Sequence, residues 1–238
     1  MSDIFDPLGP QPLGAYIPVE KPYAAKYPLL AENIEAAASK PVPVTIGVDW
    51  YSNFDRPVKI GTRYWVGKSD TLGSIRGGHC VCLRPPSMTD LSSWWERYDQ
   101  GNEGACVGFG SSRMMSLLNR SFYDAPWLYH EAQKNDYWPG ENYEGTSVDA
   151  AMKVLRLQGH KTPAWRTPRL LQGASAYRWT SSVDEILAVM GAEAYRAVGG
   201  IPFLNSWGRY GYPHITWMSF DTLVFLLQNG DAAVITDR

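Results

Sequence analysis

Apolar positions along this chain change their period several times, and each change marks an element. From Val42 the period is two. Val44, Ile46, Val48 and Trp50 alternate with Thr45, Gly47 and Asp49, the pattern of a half-buried strand. Lys59 to Val66 reads as a second strand. Arg76-Gly77-Gly78-His79-Cys80-Val81-Cys82-Leu83 reads as a third, with His79, Val81 and Leu83 on one face and Cys80 and Cys82 on the other, and Pro85-Pro86 ends it. Ser87 or Thr89 then caps a helix through Trp94-Trp95. After Cys106 the spacing is helical through Met114, Met115, Leu117 and Leu118. Its first turns are thinned by Gly108, Gly110, Ser111 and Ser112, which predicts close approach of another backbone. Further helices are predicted over 126–135 and 146–158, the second with Val148, Ala151, Met152 and Leu155 in one stripe and Gly159 as its stop. A loop follows through Pro163, Pro168 and Gly173. Ser182-Val183-Asp184-Glu185 is a capping-box signature for a helix ending at Gly191. Ile201 to Trp207 is strand-like, Ser219 caps a last amphipathic helix, and Ala232 to Thr236 closes the chain as a strand.

The distribution of these elements predicts an α+β chain of two lobes. Pro7, Pro10, Pro12, Pro18, Pro22 and Pro28 make the beginning an extended arm, followed by a short alanine-rich helix, Leu29 to Lys40, closed by Pro41. Residues 1–41 are thus an arm with a short helix, 42–86 and 176–238 a sheet lobe, and 87–175 a helical lobe carrying a cysteine at the border.

Composition narrows the function classes. Hydrophobic residues make up 45% and charged residues 19%, enough apolar content for a sizeable core. The net charge is −2 with no basic run, which argues against nucleic acid as a partner. No apolar run approaches a membrane span, and the first twelve residues lack the pattern of a signal peptide, so a cytoplasmic or virion-associated protein with no membrane partner is expected. Three cysteines are an odd number, and Cys80 and Cys82 flank a single residue, so free thiols in a reducing compartment are expected.

The candidate chemistry centres on Asp99-Gln100-Gly101-Asn102-Glu103-Gly104-Ala105-Cys106, a glycine-punctuated turn running into a helix. A thiol at a helix N-terminus sits in the positive end of the macrodipole, which favours the thiolate; buried helix-start cysteines are also common. Gln100 carries an amide suited to a developing oxyanion beside that sulfur. Glu103 would oppose the thiolate if it pointed inward. A nucleophilic cysteine needs a base, and the chain offers four histidines. His130 reads as a surface or packing residue, His160 follows a helix C-terminus where a positive charge is favoured, and His214 sits in a turn before a strand. His79 opens a strand behind two glycines, so another segment can approach it closely.

The Gln100–Cys106 spacing, Gly77-Gly78-His79 and Asn205-Ser206-Trp207-Gly208 together resemble the motifs of papain-like cysteine peptidases of bacterial and phage type. Gly145-Thr146-Ser147 opening a helix and Trp217-Met218-Ser219-Phe220 are similar to theirs as well. The resemblance implies a two-lobed fold of a helical lobe and an antiparallel sheet or barrel lobe, and peptide-bond hydrolysis without metal or other cofactor. Cys106 would be nucleophile, His79 base and acid, Asn205 the orienter of His79, and Gln100 part of the oxyanion hole. Trp207 would shield the Asn–His bond, and Gly104 and Gly78 would border the substrate. Four departures stand out. The histidine precedes the cysteine, which requires a rearranged strand order. Glu103 and Val107 replace a cysteine and a tryptophan, and Tyr210-Gly211 stands for Trp-Gly. Peptide or protein substrates are implied, with a phage or bacterial assembly as a further possible partner. Two alternatives remain: a catalytically idle papain-like binding or structural protein, and a permuted acyltransferase or cell-wall hydrolase.

Overall fold

Strand β1 (Val44–Tyr51) is the spine of the structure. Val44, Ile46, Val48 and Trp50 all enter one core with no exposure. The opposite face is covered too. Thr45 is buried there, its hydroxyl donating to the Met114 sulfur at 3.3 Å. The expected half-buried strand is therefore buried on both sides, because helices cover both faces of its sheet.

The computed structural model describes residues 41–68, 71–88, 98–137, 144–163, 170–171, 173–207 and 215–237. The proline-rich arm, the Leu29–Lys40 helix, the helix through Trp94-Trp95, Gly208, Tyr210-Gly211 and His214 lie outside the described residues.

The remaining strands are β2 (Val58–Ile60), β3 (Arg63–Val66), β4 (Ile75–Leu83), β5 (His160–Lys161), β6 (Leu170–Leu171), β7 (Ala176–Thr180), β8 (Gly200–Leu204), β9 (Ile215–Ser219) and β10 (Asp231–Asp237). Eight form one mixed sheet in the order β2-β3-β9-β8-β4-β1-β10-β7, with β5 and β6 paired separately. Only β3 and β9 run parallel in the large sheet, pairing Trp65 with Trp217. The single strand expected over 59–66 is a hairpin. Gly61, at φ +61°, turns the chain so that Ile60 faces Arg63. The 176–180 stretch, placed in the sheet lobe without an element of its own, is edge strand β7, paired to β10 through Trp179 and Ala233.

Among the described residues five helices cover the sheet: α1 (Cys106–Asn119), α2 (Ala125–Gln133), α3 (Val148–Leu157), α4 (Val183–Val189) and α5 (Phe220–Leu227). The first three pack on the face that carries Cys80, Cys82, Ala233 and Ile235; α4 and α5 pack on the face that carries Ile46, Val48, Val81 and Leu83. Side-chain caps fix the helix starts. Asp124, Ser147, Ser182 and Ser219 each accept a backbone N–H from the first turn of the helix that follows. Only half of the Ser182 capping box forms, because Glu185 takes the Thr180 hydroxyl at 2.5 Å. The fold is a mixed α+β arrangement around an eight-stranded sheet.

Candidate active site

Gly101, at φ +58°, reverses the chain behind Gln100, and Asp99 accepts its N–H at 2.9 Å. That tight turn delivers Cys106 to the first position of α1, fully buried. The turn is also tied to the asparagine segment. Gln100 N–H donates to the Ser206 carbonyl at 3.1 Å, and Asp99 pairs with Trp207 as an isolated bridge. Two of the three sequence motifs are thus joined by backbone hydrogen bonds.

His79 comes from the adjoining strand. β4 lies between β1 and β8, pairing His79 with Val48 on one side and Leu83 with Phe203 on the other. Asn205 directly follows β8, and its Oδ1 lies 2.8 Å from His79 Nε2. The same oxygen accepts the Ser206 N–H at 2.8 Å. Because a backbone N–H can only donate, the atom facing it is the amide oxygen, and His79 must donate from Nε2. In the neutral ring this leaves Nδ1 as a bare acceptor, the form a general base requires.

The sulfur lies beside the same strand. Cys80 N–H donates to Cys106 Sγ at 3.2 Å, which places the thiol against the peptide that follows the histidine. His79 Nδ1 itself has no hydrogen-bond partner among the described residues. Gly110, one turn into α1, gives the strand this closeness: a Cβ there would lie 2.9 Å from Cys80 Sγ and 3.3 Å from its carbonyl oxygen. Cys80, Cys82 and Cys106 are all free and buried. Cys106 thus lies against the strand that carries the His79–Asn205 pair, a Cys-His-Asn-like cluster.

The indole packed directly on the imidazole is Trp50, edge to face with ring centroids 4.6 Å apart. Trp207 stands behind it, 5.9 Å from the Trp50 ring. Trp50 Nε1 donates to Asp55 at 2.9 Å, and Asp55 is ion-paired to Arg76. This Arg76–Asp55–Trp50 support was not legible as such in sequence. Its signal was an aromatic residue at the end of β1, in register with the glycines that precede His79.

Burial dominates the electrostatics. It pushes the Cys106 thiol up to about 12, against the lowering effect of the N–H groups of Cys80, Val107 and Cys106 itself. Burial also brings His79 down to about 4, against the raising effect of the Asn205 bond. Near neutral pH the pair rests as thiol and imidazole, so the thiolate expected at a helix start is outweighed by desolvation. Glu103 is turned away from the sulfur, half exposed beside His130 at 3.9 Å.

Among the described residues, four buried polar atoms at this cluster have no hydrogen-bond partner: His79 Nδ1, Gln100 Oε1, Asn205 Nδ2 and Trp207 Nε1. Such atoms cost about 1–3 kcal/mol each when left unmatched. Gln100 Nε2 donates one of its hydrogens to the Glu103 carbonyl at 3.0 Å, which fixes the amide and leaves its second N–H.

The other expected residues lie as follows. Gly78 pairs with Asp49 in β4, and Gly104 packs against the Glu144 backbone, where a Cβ would lie 3.4 Å from the carbonyl carbon. His130 is on the surface. His160 is not a solvated dipole partner: it is fully buried, bonded through Nε2 to the Ser112 hydroxyl at 2.8 Å and lowered by burial to about 3, so it is neutral. Among the described residues no group of three or more His, Cys, Asp or Glu side chains is placed to hold a metal ion, and no helix is long and apolar enough to cross a membrane.

No protein-family model matches this chain, and no curated protein or solved structure is detectably similar to it. The Cys-His-Asn cluster stands on its geometry.

Proposed function

We propose that this chain is a papain-like cysteine peptidase or amidase in which the histidine strand precedes the cysteine. The observation that carries the reading is the His79–Asn205 bond at 2.8 Å, which turns a bare Nδ1 away from the amide, on a strand whose next N–H holds Cys106 Sγ at 3.2 Å. The rearranged order is accommodated because β4, supplied from upstream, lies in the sheet beside the asparagine strand β8. In this reading the lobes are 42–86 with 176–238 and 87–175.

The chemistry follows from the positions. His79 Nδ1 takes the Cys106 proton as sulfur attacks the substrate carbonyl carbon. The oxyanion is met by the Cys106 N–H and the second N–H of Gln100, and the imidazolium is held by Asn205. His79 then returns the proton to the leaving amine, and water hydrolyses the thioester by the same relay. Trp50 and Trp207 keep bulk water from the imidazole, and Gly104 and Gly78 border the substrate.

One specific observation favours the idle-scaffold reading instead. Cys106 is 0% and His79 1% exposed, and the sulfur is held by Cys80 N–H while Nδ1 is unpartnered. Catalysis therefore requires an opening that brings Nδ1 onto the sulfur. Iodoacetamide labelling at neutral pH, mapped by peptide mass, separates the two readings. A peptidase labels at Cys106 faster than at Cys80 or Cys82, and His79→Ala slows it. Equal labelling of all three, or labelling indifferent to His79, establishes the scaffold.

A further inference from the structure

Away from the cluster, the Ser52–Asp55 turn and the β2–β3 hairpin enclose a surface pocket of about 90 Å³ lined by Asn53, Arg56, Val58, Trp65, Gly67 and Lys68. We propose that this pocket binds a small oxyanion, a carboxylate or a phosphate group, between Arg56 and Lys68.

The charge distribution is the first support. Residues 56–68 carry Arg56, Lys59, Arg63 and Lys68 and no acidic residue, in a chain whose net charge is −2. All four cations are exposed, and none has a carboxylate within ion-pair distance among the described residues. Of the two acids that flank this segment, Asp55 is engaged by Trp50 Nε1 and Arg76, and Asp70 lies outside the described residues. Lys59 and Arg63 lie over the Tyr64 and Trp217 rings, outside the pocket lining, while Arg56 and Lys68 both border the same small space. Two like charges held beside one cavity repel unless an anion sits between them.

The walls are held in place without using those charges. Asn53 Nδ2 donates to the Thr71 carbonyl at 2.8 Å and to its hydroxyl at 3.2 Å. Thr222 Oγ1 donates to the Gly67 carbonyl at 3.3 Å, and Gly67 adopts φ +70° with Thr222 packed where a Cβ would stand. Trp65 is 6% exposed, and Lys68 lies over its ring at 5.4 Å. An ammonium over an indole wall, with a guanidinium bordering the same space, suits an oxyanion joined to a small apolar body. The volume suits one such group.

The test uses the full chain with ¹⁵N-labelled tryptophan. The Trp65 indole N–H, assigned through Trp65→Phe, is followed by NMR during titration with sodium phosphate or sodium N-acetylglutamate, with ionic strength held constant by sodium chloride. A saturable shift with either probe is expected. The probe that saturates identifies the source as phosphoryl or carboxylate, and saturation by both establishes the shared oxyanion site. Arg56→Gln/Lys68→Gln should weaken binding about tenfold or more, each single variant should weaken it in part, and Lys59→Gln/Arg63→Gln should leave it unchanged. No saturable shift with either probe overturns the proposal, and so does equal weakening by Lys59→Gln/Arg63→Gln, which reduces the effect to a diffuse field.

Discussion

The His79 ring and the Asn205 amide are joined at 2.8 Å across 126 residues of sequence, and the amide oxygen that makes the bond is shared with Ser206 N–H. That sharing selects the proton position on the ring. In ¹⁵N NMR of the histidine side chains, His79 is expected as the Nε2–H tautomer, and Asn205→Ala is expected to give a mixture of tautomers. If the site is a hydrolase, that variant lowers kcat by about 10²-fold or more, since base catalysis is worth that range. A single unchanged tautomer in Asn205→Ala would show that something other than the amide sets the ring.

Trp50 covers the His79 ring edge to face at 4.6 Å. Trp50→Phe retains an aromatic ring but loses the N–H donated to Asp55 and part of the buried ring volume, a cost of about 1–3 kcal/mol. Trp50→Ala opens the site, costs about 3–5 kcal/mol, and lets the His79 pKa climb from about 4 towards its ordinary value, because desolvation is the largest cause of its lowering. An NMR titration of the His79 ring protons reads this directly. A ring still lowered in Trp50→Ala places the desolvation elsewhere.

How much of this was legible in sequence depends on the range of the information. The faces of β4 were legible, because alternation is local: His79, Val81 and Leu83 were separated from Cys80 and Cys82 by period alone. The helix starts at Ser147, Ser182 and Ser219 were legible for the same reason. Strand β7 was missed although Tyr177 and Trp179 alternate with Arg178, since five residues between loop signals carry little periodic weight. The electrostatics were not legible. The macrodipole at Cys106 is a local feature, whereas the burial that outweighs it is assembled from the sheet, α1 and the asparagine segment. His160 was misread on the same ground: its place after a helix says nothing of Tyr123 and Trp127, whose rings enclose it at 4.5 and 5.8 Å.

Both buried histidines make the fold acid-sensitive. His79 and His160 are lowered to about 4 and about 3 against an ordinary value near 6.5, so the unfolded chain binds protons more readily than the native one. Their stabilising contribution is complete above the unfolded value and is lost as pH falls from there through the two folded values. Stability in urea is expected to decline between pH 6.5 and 4 by about 1 kcal/mol per pH unit for each ring. His160→Gln, which keeps a polar partner for Ser112, should reduce that slope by about half. A slope unchanged in the variant removes His160 from the account.

The thin first turns of α1 give the last test. At Gly108 a Cβ would lie 2.7 Å from the Ala125 carbonyl oxygen and 2.8 Å from the Tyr129 nitrogen, both backbone atoms of α2 or its start. Backbone cannot swing aside as a side-chain tip can. Gly108→Ala is therefore expected to destabilise by about 1–3 kcal/mol, although alanine is favoured over glycine within a helix by about 1 kcal/mol. Gly110→Ala meets mainly the Cys80 sulfur, at 2.9 Å, so its cost should be smaller and should shrink when Cys80→Ala is combined with it. Urea denaturation of the two singles and the double gives the coupling directly. Strict additivity at 80 and 110 would show that α1 and β4 adjust independently, and that the closeness holding Cys106 beside the histidine strand is looser than the structure shows.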